Sequence, residues 1–193
     1  MPRAIDQSLQ ERVLDAAQSL WRSKGEKGLT LRAVARRART TTTTVYKRFR
    51  NKEALRLALA DRVYQQLATE ITSVSNLQDV YRRHLHFAES RPREYQLLFG
   101  PVWTEVFAPG RPQYITEWLV ARLADKFGGE PRDYLRLHYA LFLIIHGAAT
   151  LLAASPRNPA NIEVHRTCLA VCDAMVENVQ LFRKKPERKK TGS

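Results

Sequence analysis

Apolar residues recur at three- and four-residue steps along most of this chain, and nowhere do they alternate with polar ones. That period belongs to helices that bury one face, so the pattern predicts an all-α protein of about nine helices. In the first helix Leu9, Val13, Ala16, Ala17, Leu20 and Trp21 share a face. Ser8 and Glu11 have capping-box spacing, which places its start near Ser8. Gly25 and Gly28 punctuate its end. Thr30 is a good N-cap for a short second helix with Leu31, Val34, Ala35 and Ala38 inward. After a turn comes a third short helix, about 42–48, and Asn51 can cap a long fourth containing Leu55, Leu57, Ala58, Val63, Leu67 and Ile71.

Asn76 opens a fifth helix through Val80, Tyr81, Leu85 and Phe87, and Pro92 starts a short sixth ending near Gly100. Residues 101–112 hold three prolines and Gly110 and read as a loop or broken helix. A seventh helix covers 114–127 and stops at Gly128-Gly129, and an eighth follows Pro131. Its stretch 139–154 is apolar nearly all round, which predicts a helix buried on several sides; no stretch reaches the ~20 apolar residues of a bilayer span. Pro156 and Pro159 separate it from a ninth helix, about 159–182. The N-terminus lacks an apolar leader, and two cysteines do not make a disulfide scaffold, so the expected address is a reducing cytoplasm.

Charge divides the chain more sharply than hydropathy. The formal net charge is +13, with 15 Lys/Arg against 6 Asp/Glu in residues 1–63 and 11 against 12 in residues 64–182. The last eleven residues hold 6 against 1. A basic N-terminal region beside a neutral middle is the footprint of a polyanion-binding protein, since each neutralised phosphate releases condensed counterions. Solubility charge alone would spread more evenly. The division expected is a DNA-binding domain over 1–58, with the fourth helix linking from about residue 52. A second helical domain over 59–182 and a basic, disordered tail over 183–193 complete it.

Threonine fills every position from Thr40 to Thr44, poor material for a helix because each β-branched residue loses χ1 freedom there. The flanks nevertheless predict one: a capped basic helix before, and Val45-Tyr46-Lys47-Arg48-Phe49 after. With Thr41 as cap, Thr42 and Thr43 project from the first turn. Helix-turn-helix proteins read DNA from that end of their second helix, and a threonine there offers a hydroxyl to phosphate or base and a methyl to thymine.

These residues, with Val13-Leu14-Asp15-Ala16-Ala17, Gly25, Thr30-Leu31, Val34-Ala35 and above all Tyr46-x-x-Phe49-x-x-Lys52-x-x-Leu55, resemble the DNA-binding domain of the tetracycline-repressor (TetR) family over residues 8–58. The resemblance implies phosphate contacts from Thr30, Tyr46 and Lys52, base-proximal positions for Thr42 and Thr43, and a groove or phosphate contact from Lys47. Phe49 and Leu55 are then packing residues. Two positions depart from the family pattern: Arg39 stands where glycine serves a left-handed turn, and Thr40 where an apolar valine is common. A non-glycine residue in that turn costs on the order of 1 kcal/mol, which an Arg39–phosphate contact would offset.

Residues 77–182 resemble the regulatory domain of the same family. Phe87 through Phe99 followed by His146-Gly147 is similar to the subgroup named for a Trp-His-Gly signature, with Ile145 in the Trp position. The resemblance implies that 59–182 is a ligand-binding and dimerisation domain, with a homodimer built by the last helices. The stripe Ile162, His165, Leu169, Cys172, Val176 and Val179 has the spacing for it, or for packing inside one subunit. It also implies a cavity for a small hydrophobic effector, with Tyr95, Phe99, Trp103, Phe107, Trp118, Phe142 and His146 as candidate lining.

His165, Cys168 and Cys172 share a helical face, but three ligands from one helix lack a fourth, and they read as structural; no metal or cofactor is expected. No P-loop, dinucleotide fingerprint, nucleophile elbow or paired-carboxylate motif is present, so an enzyme is not expected. The predicted function is a repressor released from a palindromic DNA operator by a small ligand, without a membrane role. The rival is a helical interaction module that holds an acidic surface through its basic ends.

Overall fold

The computed structural model describes residues 7–183, which contain ten α-helices and no strand. They are α1 (Gln7–Lys24), α2 (Leu31–Arg37), α3 (Thr42–Arg48), α4 (Lys52–Thr72), α5 (Leu77–Ser90), α6 (Pro92–Leu98), α7 (Trp103–Val106), α8 (Tyr114–Phe127), α9 (Leu135–Ala154) and α10 (Asn161–Glu177). The extra helix is α7, a single turn inside the Pro-rich segment. Ser8 lies within α1, which has already begun at Gln7, one residue before the start expected. Two caps form as expected: Asn51 Oδ1 accepts from the Ala54 N–H at 2.8 Å, and Asn76 Oδ1 from the Asp79 N–H at 2.8 Å. α8 ends at Gly128 and Gly129, with φ of 74° and 90°. Of the basic tail, residues 184–193 lie outside the described residues.

Packing defines two compact units. One contains the described residues up to Leu67 together with Ser90–Arg111; the other contains Ala68–Glu89 and the described residues from Pro112 onward. The chain therefore returns to the first unit after α5, and α6 and α7 pack with the N-terminal helices rather than with the segment expected to follow residue 58. The reason is a polar knot. Gln18 donates to Glu94 at 2.5 Å, Arg22 Nε meets the same carboxylate at 2.8 Å, and Trp21 Nε1 donates to the Arg93 carbonyl at 2.7 Å. Around it Val13, Ala17, Leu29, Val34, Val45, Leu55 and Leu59 are fully buried.

In the second unit α9 packs on α8 and α10. Leu137, Leu141, Ile145, Ala149 and Leu152 face inward. The opposite face of α9 corrects the expectation of burial on several sides, because Tyr139, Leu143, Ile144 and Leu151 are exposed, Leu143 at 67%. With its leading 3₁₀ turn the helix runs Pro131–Ala154, 24 residues, and contains an 18-residue window of mean hydropathy 1.7, long and apolar enough by length and composition to cross a membrane.

Candidate nucleic-acid interface

The helix-turn-helix is built by two threonine caps. Thr30 Oγ1 accepts from the Ala33 N–H at 3.1 Å and starts α2; Thr41 Oγ1 accepts from the Thr44 N–H at 3.1 Å and starts α3. Each cap satisfies a backbone donor that a helix start leaves open. Between the helices Arg39 takes φ 52°, the left-handed backbone that glycine would adopt more cheaply. The bond from the Thr40 N–H to the Ala35 carbonyl (3.0 Å) and that from the Arg39 N–H to the Arg36 carbonyl (3.3 Å) close a Schellman motif.

α3 then sorts its residues by face. Val45 is buried and Phe49 nearly so, while Thr41, Thr43, Lys47 and Tyr46 are exposed, Tyr46 at 54%. An aromatic ring that exposed, beside a lysine on a basic helix, is poorly used by packing and well placed for a partner. Thr42 is half-buried, and Lys52, at the first turn of α4, is about one-third exposed. Thr30, Thr40, Thr41 and Thr42 line a groove of about 440 Å³ between α2 and α3. Arg32 and Arg36, which are not among the expected contacts, line it too; the sequence signal for them is their four-residue spacing, which puts both on one face of a short helix. Arg39 borders a second hollow of about 400 Å³ with Arg12, Arg37 and Asp15.

The seven candidate ligand residues fall in two groups. Tyr95, Phe99, Trp103 and Phe107 belong to the first unit and form a continuous ring cluster with Tyr64. Centroids are 4.6 Å apart for Tyr95–Phe99, 4.2 Å for Trp103–Phe107 and 5.1 Å for Tyr64–Phe107. Trp118, Phe142 and His146 belong to the second unit, where Phe142 and His146 stack at 5.5 Å and Arg122 covers Trp118 at 5.4 Å. Burial holds His84 down at about 3, with His146 contributing, and holds His138 down at about 4.

Of the expected partner-facing stripe, Ile162 is exposed, while His165, Leu169 and Val179 are half-buried. His165 pairs with Glu89 at 2.9 Å. Cys172 and Val176 are buried inside the unit and present nothing to a partner. Hydrogen bonding with Cys168, then burial, holds the Cys172 thiol above its ordinary range. Among the described residues no group of His, Cys, Asp or Glu has the arrangement of a metal site.

Caps, turn and the exposed face of α3 together define a helical protein with an N-terminal helix-turn-helix. Residues 13–59 match the family described as "Bacterial regulatory proteins, tetR family". Over 59 residues the chain is 41% identical to an uncharacterised HTH-type transcriptional regulator from the dhlA 5′ region of Xanthobacter autotrophicus; the match covers 31% of this chain and 29% of that protein. The chain therefore matches less than a third of that relative's length. Two solved structures share the fold at a TM-score of 0.67. One is a TetR variant from Acinetobacter baumannii AYE in complex with minocycline, 19% identical, covering 94% of this chain and all of that one. The other is the transcriptional regulator SCO7222, a TetR from Streptomyces coelicolor, 21% identical, covering 91% and 99%. Residues 13–59 are thus similar to the helix-turn-helix segment of the tetR family, and the two solved structures share the fold.

Proposed function

We propose that this protein is a dimeric transcriptional repressor in the cytoplasm that binds a palindromic DNA operator and leaves it when a small, largely hydrophobic ligand binds. The observation that carries the reading is the capped α3 with Thr43, Tyr46 and Lys47 exposed along one side, beside the arginine-lined groove of α2. In this reading Thr42 and Thr43 approach base edges. Thr30, Arg39, Tyr46, Lys47 and Lys52 hold phosphates, which fixes the register of α3 in the major groove.

Two helices set about 34 Å apart by a two-fold axis would match successive major grooves, hence a palindrome. The exposed apolar face of α9, with Ile162, Val171 and Leu181 from the segment that follows, supports a second copy as its cover. The Tyr64–Phe99–Phe107 cluster supports an apolar ligand, which would shift a two-state equilibrium through its differential affinity. Selection of bound sequences from a random duplex pool tests the reading. A single inverted repeat is expected. Loss of selection in Thr42→Ala and Tyr46→Ala would support the assignment, and unchanged enrichment would refute it.

A further inference from the structure

A cavity of about 240 Å³ opens in the first unit where the end of α1, the start of α4 and α6 converge. Trp21 and Leu97, both buried, form apolar walls, and Arg56, Arg93, Gln96 and Glu26 supply polar groups. Arg56 is the unusual member. Its side chain is only 16% exposed, its Nη1 reaches Glu26 at 3.2 Å, and its Nε is buried with no hydrogen-bond partner. A buried donor left open costs free energy that a bound acceptor recovers. Arg93 is anchored, its Nη1 donating to the Arg22 carbonyl at 2.7 Å and its own carbonyl accepting from Trp21. Two guanidinium groups thus line the cavity with one carboxylate, Glu26, which pairs with Arg56 and also meets Lys52 at 3.8 Å.

We propose that this cavity binds a small organic carboxylate with a compact apolar body, and that occupancy weakens DNA binding through Glu26. A carboxylate that draws the Arg56 guanidinium off Glu26 uncovers its Nε and makes the paired, charge-assisted contact that guanidinium geometry favours, while its apolar body lies against Trp21 and Leu97. The space suits one ring, since a dry cavity of about 150 Å³ already holds benzene. The bound anion takes Arg56 from Glu26, and Glu26 then pairs fully with Lys52. Lys52 is the side chain that the proposed function places on a phosphate, so its pairing subtracts one phosphate contact; this second step rests on that reading, and the first does not.

Titration of the full chain with benzoate, benzamide and inorganic phosphate, followed by calorimetry and by indole fluorescence, tests the site without DNA. Benzoate alone is expected to saturate at low millimolar concentration or below. Arg56→Met should weaken it at least tenfold, and Glu26→Gln should tighten it by removing the competing carboxylate. Gln96→Trp fills the cavity from its exposed rim and should abolish binding with both guanidinium groups intact, which decides the matter if Arg56→Met fails to fold. Equal responses to benzamide or phosphate, or benzoate binding retained in Gln96→Trp, would overturn the site. Benzoate should then lower duplex affinity several-fold in the wild type and not in Glu26→Gln; an unchanged affinity overturns the coupling. Benzoate binding with no DNA binding under any condition would instead sink the DNA reading and leave the site standing.

Discussion

The Thr40 N–H donates to the Ala35 carbonyl at 3.0 Å, and the loop it closes leaves Arg39 in the left-handed region at φ 52°. That backbone brings the Cβ of an L-residue too close to the following carbonyl, at about 1 kcal/mol, and glycine avoids it. Arg39→Gly should therefore raise stability by up to about 1 kcal/mol, or roughly 2–4 °C in melting temperature for a chain of this size. Operator affinity should fall in the same variant, because an exposed cation on the basic surface is lost. Thermal unfolding and fluorescence anisotropy check the two halves independently; a drop in stability would mean that Arg39 makes a contact worth more than its strain.

Lys52 and Tyr46 differ in what they should change. Lys52→Gln removes one counterion-releasing contact, so the slope of log affinity against log salt should become shallower by about 0.9 for each bound copy. Tyr46→Phe keeps the ring and removes only the hydroxyl, and should weaken binding without altering that slope. Neither should cost much stability, since Tyr46 is exposed and the Lys52–Glu26 pair is long and solvated. Affinity measured across a salt series separates the two roles. Identical slopes for Lys52→Gln and the parent would remove Lys52 from the phosphate set.

Glu94 is 1% exposed and keeps its carboxylate charge company through Arg22 and Gln18. Arg22→Met leaves the carboxylate dry with a single neutral donor, and is expected to cost about 1–3 kcal/mol. Glu94→Gln removes the charge but keeps the shape, and combined with Arg22→Met it should recover part of the loss. Urea unfolding of the two single variants and the double variant measures the coupling. Strict additivity would show that the ion pair contributes nothing to the first unit.

Histidine burial sets the acid response. His84 stays neutral when folded, with its titration held down at about 3, while the unfolded chain binds the proton near its ordinary 6.5. Between those values the unfolded state carries more protons, so stability is complete above about pH 6.5 and declines as pH falls toward 3. The decline approaches 1.4 kcal/mol per pH unit for this one group, and His138, held down at about 4, adds to it over the upper part of the window. His84→Leu should flatten the dependence between pH 6 and pH 4. Unfolding free energies at those two values decide it, and an equally steep loss in the variant would assign the effect elsewhere.

The reading head was legible because its determinants are local. Thr30, Thr41 and Asn51 cap helices through backbone groups three residues away, and Arg39 closes a turn within its own neighbourhood. The placement of α6 was not legible, because Gln18–Glu94 and Trp21–Arg93 join residues more than seventy positions apart and no periodicity encodes them. The same limit explains Cys172 and Val176. A stripe at three- and four-residue spacing shows that a helix buries a face, without showing whether the covering surface belongs to its own chain. The side of α9 left open could not be read either, since an all-round apolar sequence marks no face.

That open side yields the sharpest test of assembly. Leu143 and Leu151 are 67% and 60% exposed, eight residues apart on one helical face, with Gly147 midway between them and open space where a side chain would begin. Water in contact with two leucines and a bare helix turn is a standing cost, and a second copy laid along the helix would remove it. Both leucines point away from the unit's core, so Leu143→Glu with Leu151→Glu should leave the fold intact while placing four like charges across a two-fold contact. Sedimentation is expected to show a dimer for the parent and a monomer for the double variant, with unchanged helical content by circular dichroism. Operator affinity should fall by orders of magnitude, because each monomer then reads one half-site alone. A variant that stays dimeric would place the interface elsewhere on the second unit.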